Sequence, residues 1–200
     1  MLSGELFDAI EVNAARTGNH KRAAVRMSRL AVQATLPVQA APENAAENAP
    51  ENMSRAEAHM RAGEQWLLAD EPATAADEFQ AAIADAGPTF DDPRVPLARA
   101  MFALGRLTEA DALLRQLTED GGQSLPRTCD LVAELLIEQG DLNGALEWAT
   151  AGVDACLRGA DRDELQLLLR LRYRIRVDLA LPEDAYDKLL DDKAGPVAGS

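Results

Sequence analysis

Residues 62–87, AGEQWLLADEPATAADEFQAAIADAG, decide the fold. The segment reads as two helices broken around Asp70, and it returns twice, 35 positions on each time and without a gap. Residues 97–122 read LARAMFALGRLTEADALLRQLTEDGG, and residues 132–159 read VAELLIEQGDLNGALEWATAGVDACLRG. Small residues recur at Gly63, Ala98 and Ala133, and again at Ala75, Ala110 and Ala145. Turn residues recur at Asp70, Gly105 and Gly140, and bulky apolar residues at Trp66, Met101 and Leu136. Four columns holding one step mark an internal repeat, whose units bury a shared core only by stacking.

Start and stop signals divide each unit into two helices. Ser54-x-x-Glu57 reads as a capping box, and Thr74-x-x-Asp77 as the opening of a second helix after Pro72. Asp92-Pro93 and Thr108-x-x-Asp111 flank the C-cap Gly105, while Ser124, Pro126 and Gly140 delimit the next pair. The predicted helices are 55–69, 75–86, 93–104, 109–119, 126–139 and 142–157. Links of four or five residues make each pair antiparallel. A fourth pair is expected at 162–179 and 183–191, with Ala185 following Ala145 by 40. Its segment LRLRYRIRVDL (169–179) alternates with a period of two, a strand signal when taken alone. The expectation is nevertheless helix, because Asp161-x-x-Glu164 caps it and Leu165, Leu168, Leu169, Arg172, Ile175 and Leu179 form one face. A charged outer face on this last unit would cap the stack.

On these residues the chain resembles the tetratricopeptide repeat family over about residues 54–159, with the divergent fourth pair reaching about 191. The first unit carries the family pattern best, in Gly63, Trp66, Ala75, Phe79 and Ala82, with Pro88 one place late. Later units depart from it at Leu114, Leu117, Ala149 and Gly152, and the family's early Trp is replaced by His59, Arg94 and Cys129. The resemblance implies an all-α fold, a right-handed superhelical stack (an α-solenoid) of about three and a half to four antiparallel helix pairs. It also implies a non-enzymatic scaffold or adaptor whose first helices line a concave groove. The columns facing that groove would be Met60, Val95 and Asp130; Glu64, Arg99 and Glu134; and Leu67, Phe102 and Ile137. An apolar stripe bordered by Glu57, Asp92 and Glu138, with Arg127 the only basic member besides Arg99, suits a basic amphipathic peptide or protein partner. The bland reading packs Leu67 and Phe102 against their own second helices. Some family members grip a chaperone's C-terminal carboxylate with Lys and Asn in these columns, but the acids here would repel one.

Composition agrees with helices. Of 200 residues 38 are alanine and only 4% aromatic, a core for close helix packing and not for a β-sandwich. The net charge of −14 is uneven: residues 1–36 carry +2, residues 37–53 carry −3, and the remainder carries −13. The expected domains are a basic, partly helical N-terminal segment (1–36), a disordered Pro/Glu/Asn/Ala linker (37–53), the repeats (54–193) and a disordered tail (194–200). Within the first segment Lys21, Arg22, Arg26 and Arg29 interleave with apolar residues. Three readings stand: residues 16–32 dock into the acidic groove, reach for nucleic acid or membrane, or pack on the side of the stack. Arg170, Arg172, Arg174 and Arg176 form a second basic series, solvated or at a subunit contact if helical and tracking phosphates if a strand.

No 18-residue apolar run spans a membrane, and Glu5 and Asp8 stand where a secretory signal would be apolar, so a cytoplasmic location is expected. Cys129 and Cys156 read as buried thiols. His20 and His59 belong to no nucleophile constellation, and the paired aspartates read as caps or solvated acids, so neither catalytic residues, cofactor nor metal are expected. The leading function is a protein or peptide interaction scaffold. The alternative is a regulatory protein with a basic segment or arginine series on nucleic acid, although the acidic whole disfavours that ligand.

Overall fold

The computed structural model describes residues 2–34, 53–159 and 162–191. Ten α-helices follow one another there: α1 (Gly4–Thr17), α2 (His20–Gln33), α3 (Arg55–Leu68), α4 (Pro72–Asp85), α5 (Arg94–Ala103), α6 (Leu107–Glu119), α7 (Pro126–Glu138), α8 (Leu142–Gly159), α9 (Arg162–Asp178) and α10 (Lys188–Asp191). A 3-10 turn at Gly122–Ser124 precedes α7, and no strand occurs among the described residues. The linker expected over 37–53, Met53 apart, lies outside the described residues, as do the tail and the capping Asp161. The chain divides into two units, Met1–Asp111 and Ala112–Ser200, whose boundary falls inside α6.

The 35-residue period is written most plainly in the helix ends. Asp70, Gly105 and Gly140 adopt positive φ of 59°, 71° and 79°. The following N–H reaches back in each case to the bulky column: Glu71 donates to the Trp66 carbonyl at 3.0 Å, and Arg106 and Asp141 donate to Met101 and Leu136 at 2.9 Å. This is a Schellman-type closure, whose left-handed residue glycine and aspartate enter at least cost. A fourth copy ends α9, where Ala180 has φ 53° and Leu181 donates to the Arg176 carbonyl at 3.0 Å. The step of 40 is thus a real continuation of the period.

In the first unit, Gly63 of α3 faces the fully buried ring of Phe79 on α4. His59 Nδ1 lies 2.6 Å from Glu78 Oε2, and Arg55 pairs with Asp85. Ser54 caps α3 by accepting the Glu57 N–H at 2.8 Å. The helices α4 and α6 begin earlier than expected, at Pro72 and Leu107 instead of near Thr74 and Thr108. Proline at the first helical position has φ preset and no N–H to satisfy, so Pro72 and not Thr74 opens the helix.

The N-terminal residues form a helical hairpin of their own, α1 and α2. On α2, Ala23, Met27 and Ala31 join Ala58 and Ala62 of α3 in one buried cluster with Phe7 and Ile10 of α1. The two helices run antiparallel: His20 and Lys21 reach Gln65 and Glu71 at the end of α3, while Leu30 and Ala34 share the cluster with Met53. Residues 16–32 therefore do not fill the face of α3 carrying Glu64 and Leu67. Their apolar side is spent on a different side of α3, the one carrying Ala58 and Ala62.

In the second unit α8 packs between α7 and α9, and Gly152 makes the approach close. A Cβ there would lie 2.7 Å from Cys129 Cβ and 2.9 Å from a Leu168 methyl. Cys129 and Cys156 are both buried and free. Segment 169–178 is helical throughout as part of α9, whose buried Leu168, Leu169, Leu171, Arg172 and Ile175 follow a 3.6-residue period. The helix expected over 183–191 shrinks to the four residues of α10. Before it, Asp184 accepts the Tyr186 N–H at 2.9 Å, and Asp187 accepts the Asp184 N–H at 2.9 Å. Both carboxylates thereby meet the arginines of α9, and these charge-assisted bonds outweigh the small gain of one more helical turn.

Candidate binding face of the first helices

Expected first-helix positions occur in both units. In the first, Glu64 is exposed and Leu67, Arg99 and Phe102 are half-buried, so their side chains reach solvent. Met60 and Val95 do not: each is 3% exposed and belongs to the core. The expectation that they line an open groove is corrected, since the column one turn before Glu64 and Arg99 turns inward. In the second unit Asp130 and Ile137 are half-buried and Glu134 exposed, and Arg127 lies 3.8 Å from Asp130. Leu67, Phe102 and Ile137 thus share one intermediate burial, as positions one period apart should.

Glu64 has the most perturbed chemistry on this face. Its outer edge is open to water, but protein crowds it on its other sides. That burial, followed by the carboxylates of Glu11, Glu57 and Asp91, pushes its pKa up to about 7, against a weaker pull from Arg61. Arg61 is largely spent elsewhere. It donates to Asp8 at 2.6 Å and to both oxygens of Glu11, and it lies 5.6 Å over the Phe7 ring. The hydrogen bond to Glu11, which leads its causes, drives the guanidinium's pKa well up. The carboxylate group therefore includes α1, a contribution unreadable from the repeat because Glu11 lies outside it.

Phe90 also escaped the repeat columns. It follows Pro88 in the loop before α5, is 82% exposed, and donates its N–H to Glu57 Oε2 at 2.9 Å. A large apolar residue in a loop beginning Gly87-Pro88 was the available signal. Nearby, Asp92 acts as the expected capping acid. Burial pushes its carboxyl up, yet the side-chain and backbone N–H groups of Arg94 outweigh it and hold the pKa below its ordinary value.

The basic series divides in two. On α2, Lys21 pairs with Glu71 at 2.5 Å, while Arg22, Arg26 and Arg29 are exposed. On α9, Arg170 and Arg174 are exposed, but Arg172 is only 4% exposed and Arg176 also turns inward. Arg172 meets Asp184 at 2.5 Å, Asp187 at 3.3 Å and Thr150 Oγ1 at 3.0 Å, and stacks 4.5 Å over the Tyr186 ring. Arg176 pairs with Asp184 and Asp187 at 3.0 and 3.1 Å. Arg172 takes its place on the buried face as expected, and the reading of all four arginines as basic contacts is corrected to two at the surface, with Arg172 and Arg176 paired to Asp184 and Asp187. The hydrogen bond from Arg172 leads the causes that hold Asp184's pKa down at about 2.

Among the described residues no three His, Cys, Asp or Glu side chains converge as metal ligands. No helix among them is long and apolar enough to cross a membrane. Against this geometry, one comparison is decisive for the repeat. Residues 67–128 match the tetratricopeptide repeat family. The matched segment runs from the end of α3 to the start of α7 and is narrower than the 54–159 expected from the recurring columns. No curated protein and no solved structure matches the chain. Tetratricopeptide repeats generally mediate protein–protein interactions and are typically non-enzymatic scaffolds.

Proposed function

We propose that this protein is a non-enzymatic interaction scaffold whose first helices bind a basic amphipathic peptide or protein segment. The observation that carries the reading is the face of α3, where Glu64 stands among Glu11, Glu57 and Asp91 with the half-exposed Leu67 one turn on. A cationic side chain there relieves carboxylate repulsion, and its neighbouring apolar side chain covers Leu67. Glu134 and Ile137 repeat the same pair of chemistries in the second unit. The partner is accordingly a segment with Lys or Arg at helical spacing beside Leu-like residues. Calorimetric titration with a synthetic Lys/Leu amphipathic peptide tests this: it should bind in the micromolar range, and a Glu/Leu peptide of the same pattern should not. Equal binding of both peptides would remove the electrostatic basis of the proposal.

A second reading rests on Arg22, Arg26 and Arg29, an exposed stripe at i, i+4 and i+7 on α2. In it the repeats bind an effector while α2 contacts nucleic acid. Retention on heparin at physiological salt, lost when these three arginines become glutamines, would favour it; flow-through would dismiss it.

A further inference from the structure

The chain itself carries both halves of an acidic-to-basic contact. On α2 Arg22, Arg26 and Arg29 are exposed and none has an ion-pair partner among the described residues, whereas Lys21 is paired with Glu71. Val32, one turn beyond Arg29, is 71% exposed, so the stripe ends on an apolar residue. This is the partner chemistry that suits the face of α3, arginines at helical spacing beside an apolar side chain. The stripe cannot serve its own α3. The opposite side of α2, through Ala23, Met27 and Ala31, is fixed against Ala58 and Ala62, away from the face carrying Glu64 and Leu67. Only another molecule can bring such a stripe onto that face.

We propose that the basic partner of the α3 face is α2 of a second copy of this chain, laid antiparallel so that Arg29 meets Glu57 and Arg22 meets Glu64. The pairing rests on the acidic-face reading and names its occupant. Arg22 and Arg29 are seven residues apart, as are Glu57 and Glu64, and seven residues are two helical turns, or about 10 Å. The two arginines thus meet both carboxylates at once. The apolar ends choose the antiparallel sense. It carries Val32 past Glu57 toward the loop of Phe90, which donates its N–H to Glu57 and is the most exposed apolar residue beside this face. A parallel stripe would leave Phe90 uncovered. The donating and accepting faces differ, so each copy both gives and receives. One helix on one face buries less than the roughly 1,200 Å² of a standard stable interface, so the association is weak and concentration-dependent.

Sedimentation velocity of the full chain from about 5 to about 500 µM, at pH 8 where Glu64 is ionised, tests the proposal, with a midpoint expected at about 10–100 µM. Arg22→Glu and Glu64→Lys should each raise the midpoint about tenfold or more. An equimolar mixture of these two chains should associate within about threefold of the parent, because each keeps the face that the other has lost. In one chain, Arg22→Glu/Glu64→Lys exchanges the signs of a single pair and should recover, whereas Arg29→Glu/Glu64→Lys reverses one member of each pair and should stay weakened. All three positions are exposed, and circular-dichroism melts no lower than the parent's report intact folding. The Lys/Leu peptide, competing for the same face, should dissolve the parent association. Single reversals without effect, a mixture that fails to associate, or recovery of the second combination and not the first each overturns the proposal. A chain monomeric throughout that still binds the Lys/Leu peptide overturns the pairing alone, and one that is monomeric and binds no peptide overturns the acidic face as well. Capture of heparin or poly-glutamate by a monomeric chain, lost in Arg22→Glu, overturns the pairing and assigns the stripe to nucleic acid or to an acidic protein.

Discussion

Gly63→Ala sets two opposite effects against each other at the contact that closes the first recognised pair. In an exposed helix interior the change would stabilise by about 1 kcal/mol, because glycine loses more backbone freedom on folding than alanine. At Gly63 the added Cβ would lie 2.5 Å from Phe79 Cε1 and 2.8 Å from Cδ1 and Cζ, against 3.4–4 Å for ordinary contact. The ring must retreat by nearly the difference, and Phe79 is fully buried with no free side to enter. Overpacking of this kind costs about 1–3 kcal/mol, and the immobile ring places it toward the upper end. The expected net is a destabilisation of about 1–2 kcal/mol, or a melting point lower by roughly 2–8 °C for a chain of this size. Urea unfolding followed by circular dichroism reads it, in the parent and in a Phe79→Leu background. With the ring gone the methyl should be neutral or stabilising, giving a coupling of about 1 kcal/mol or more. Gly63→Ala that stabilises the parent, or acts equally in both backgrounds, would refute the small-against-large account of this pair.

Three further outcomes follow from named groups. Because the folded pKa of Glu64 is raised to about 7, its favourable contribution is full below its ordinary value of 4.5 and is lost as pH rises through about 7. Glu64→Gln should therefore raise the urea midpoint at pH 8, leave it near the parent's at pH 4.5, and flatten the profile between them. Arg172→Ala leaves the buried Asp187 short of a partner and should cost about 3 kcal/mol, with hydrogen exchange rising first over 181–191 while α7 stays protected. The depressed pKa of Asp184 adds that its share of the clasp, present above its ordinary 3.8, is lost as pH falls through about 2. Burial, the leading cause, then the nearby Cys156 and Asp130, push the Cys129 thiol up to about 12, so native protein at pH 8 should give almost no reaction of Cys129 with a thiol reagent and full reaction once unfolded.

Local chemistry made the repeat readable. Asp70, Gly105 and Gly140 adopt the same left-handed closure, which only a few residue types enter cheaply, so the turn column carried the period into the structure. Ala180 hid the fourth copy, since alanine in that conformation has no sequence signature. The period-two arginine series misleads as a strand signal because its apolar partners also satisfy a helical face, and Arg172 and Arg176 are turned inward by Asp184 and Asp187, acids 8 to 15 residues away. Pairing with acids across a turn leaves no periodic trace. The binding columns came through in part: Glu64, Leu67, Arg99 and Phe102 reach the surface, but Met60 and Val95 are drawn into the core. The carboxylates around Glu64 include Glu11 from a helix outside the repeat, a juxtaposition that only tertiary packing creates.

The claim that the first helices present an acidic, apolar-striped binding face is tested most directly by titrating the full chain with the Lys/Leu peptide, alongside the variants Glu64→Lys and Glu134→Lys. At pH 7 binding should expel a proton from Glu64, visible as a heat that varies with the buffer's ionisation enthalpy. Each charge reversal should weaken affinity by about tenfold. Undiminished affinity in both variants, with no proton released, would contradict the account.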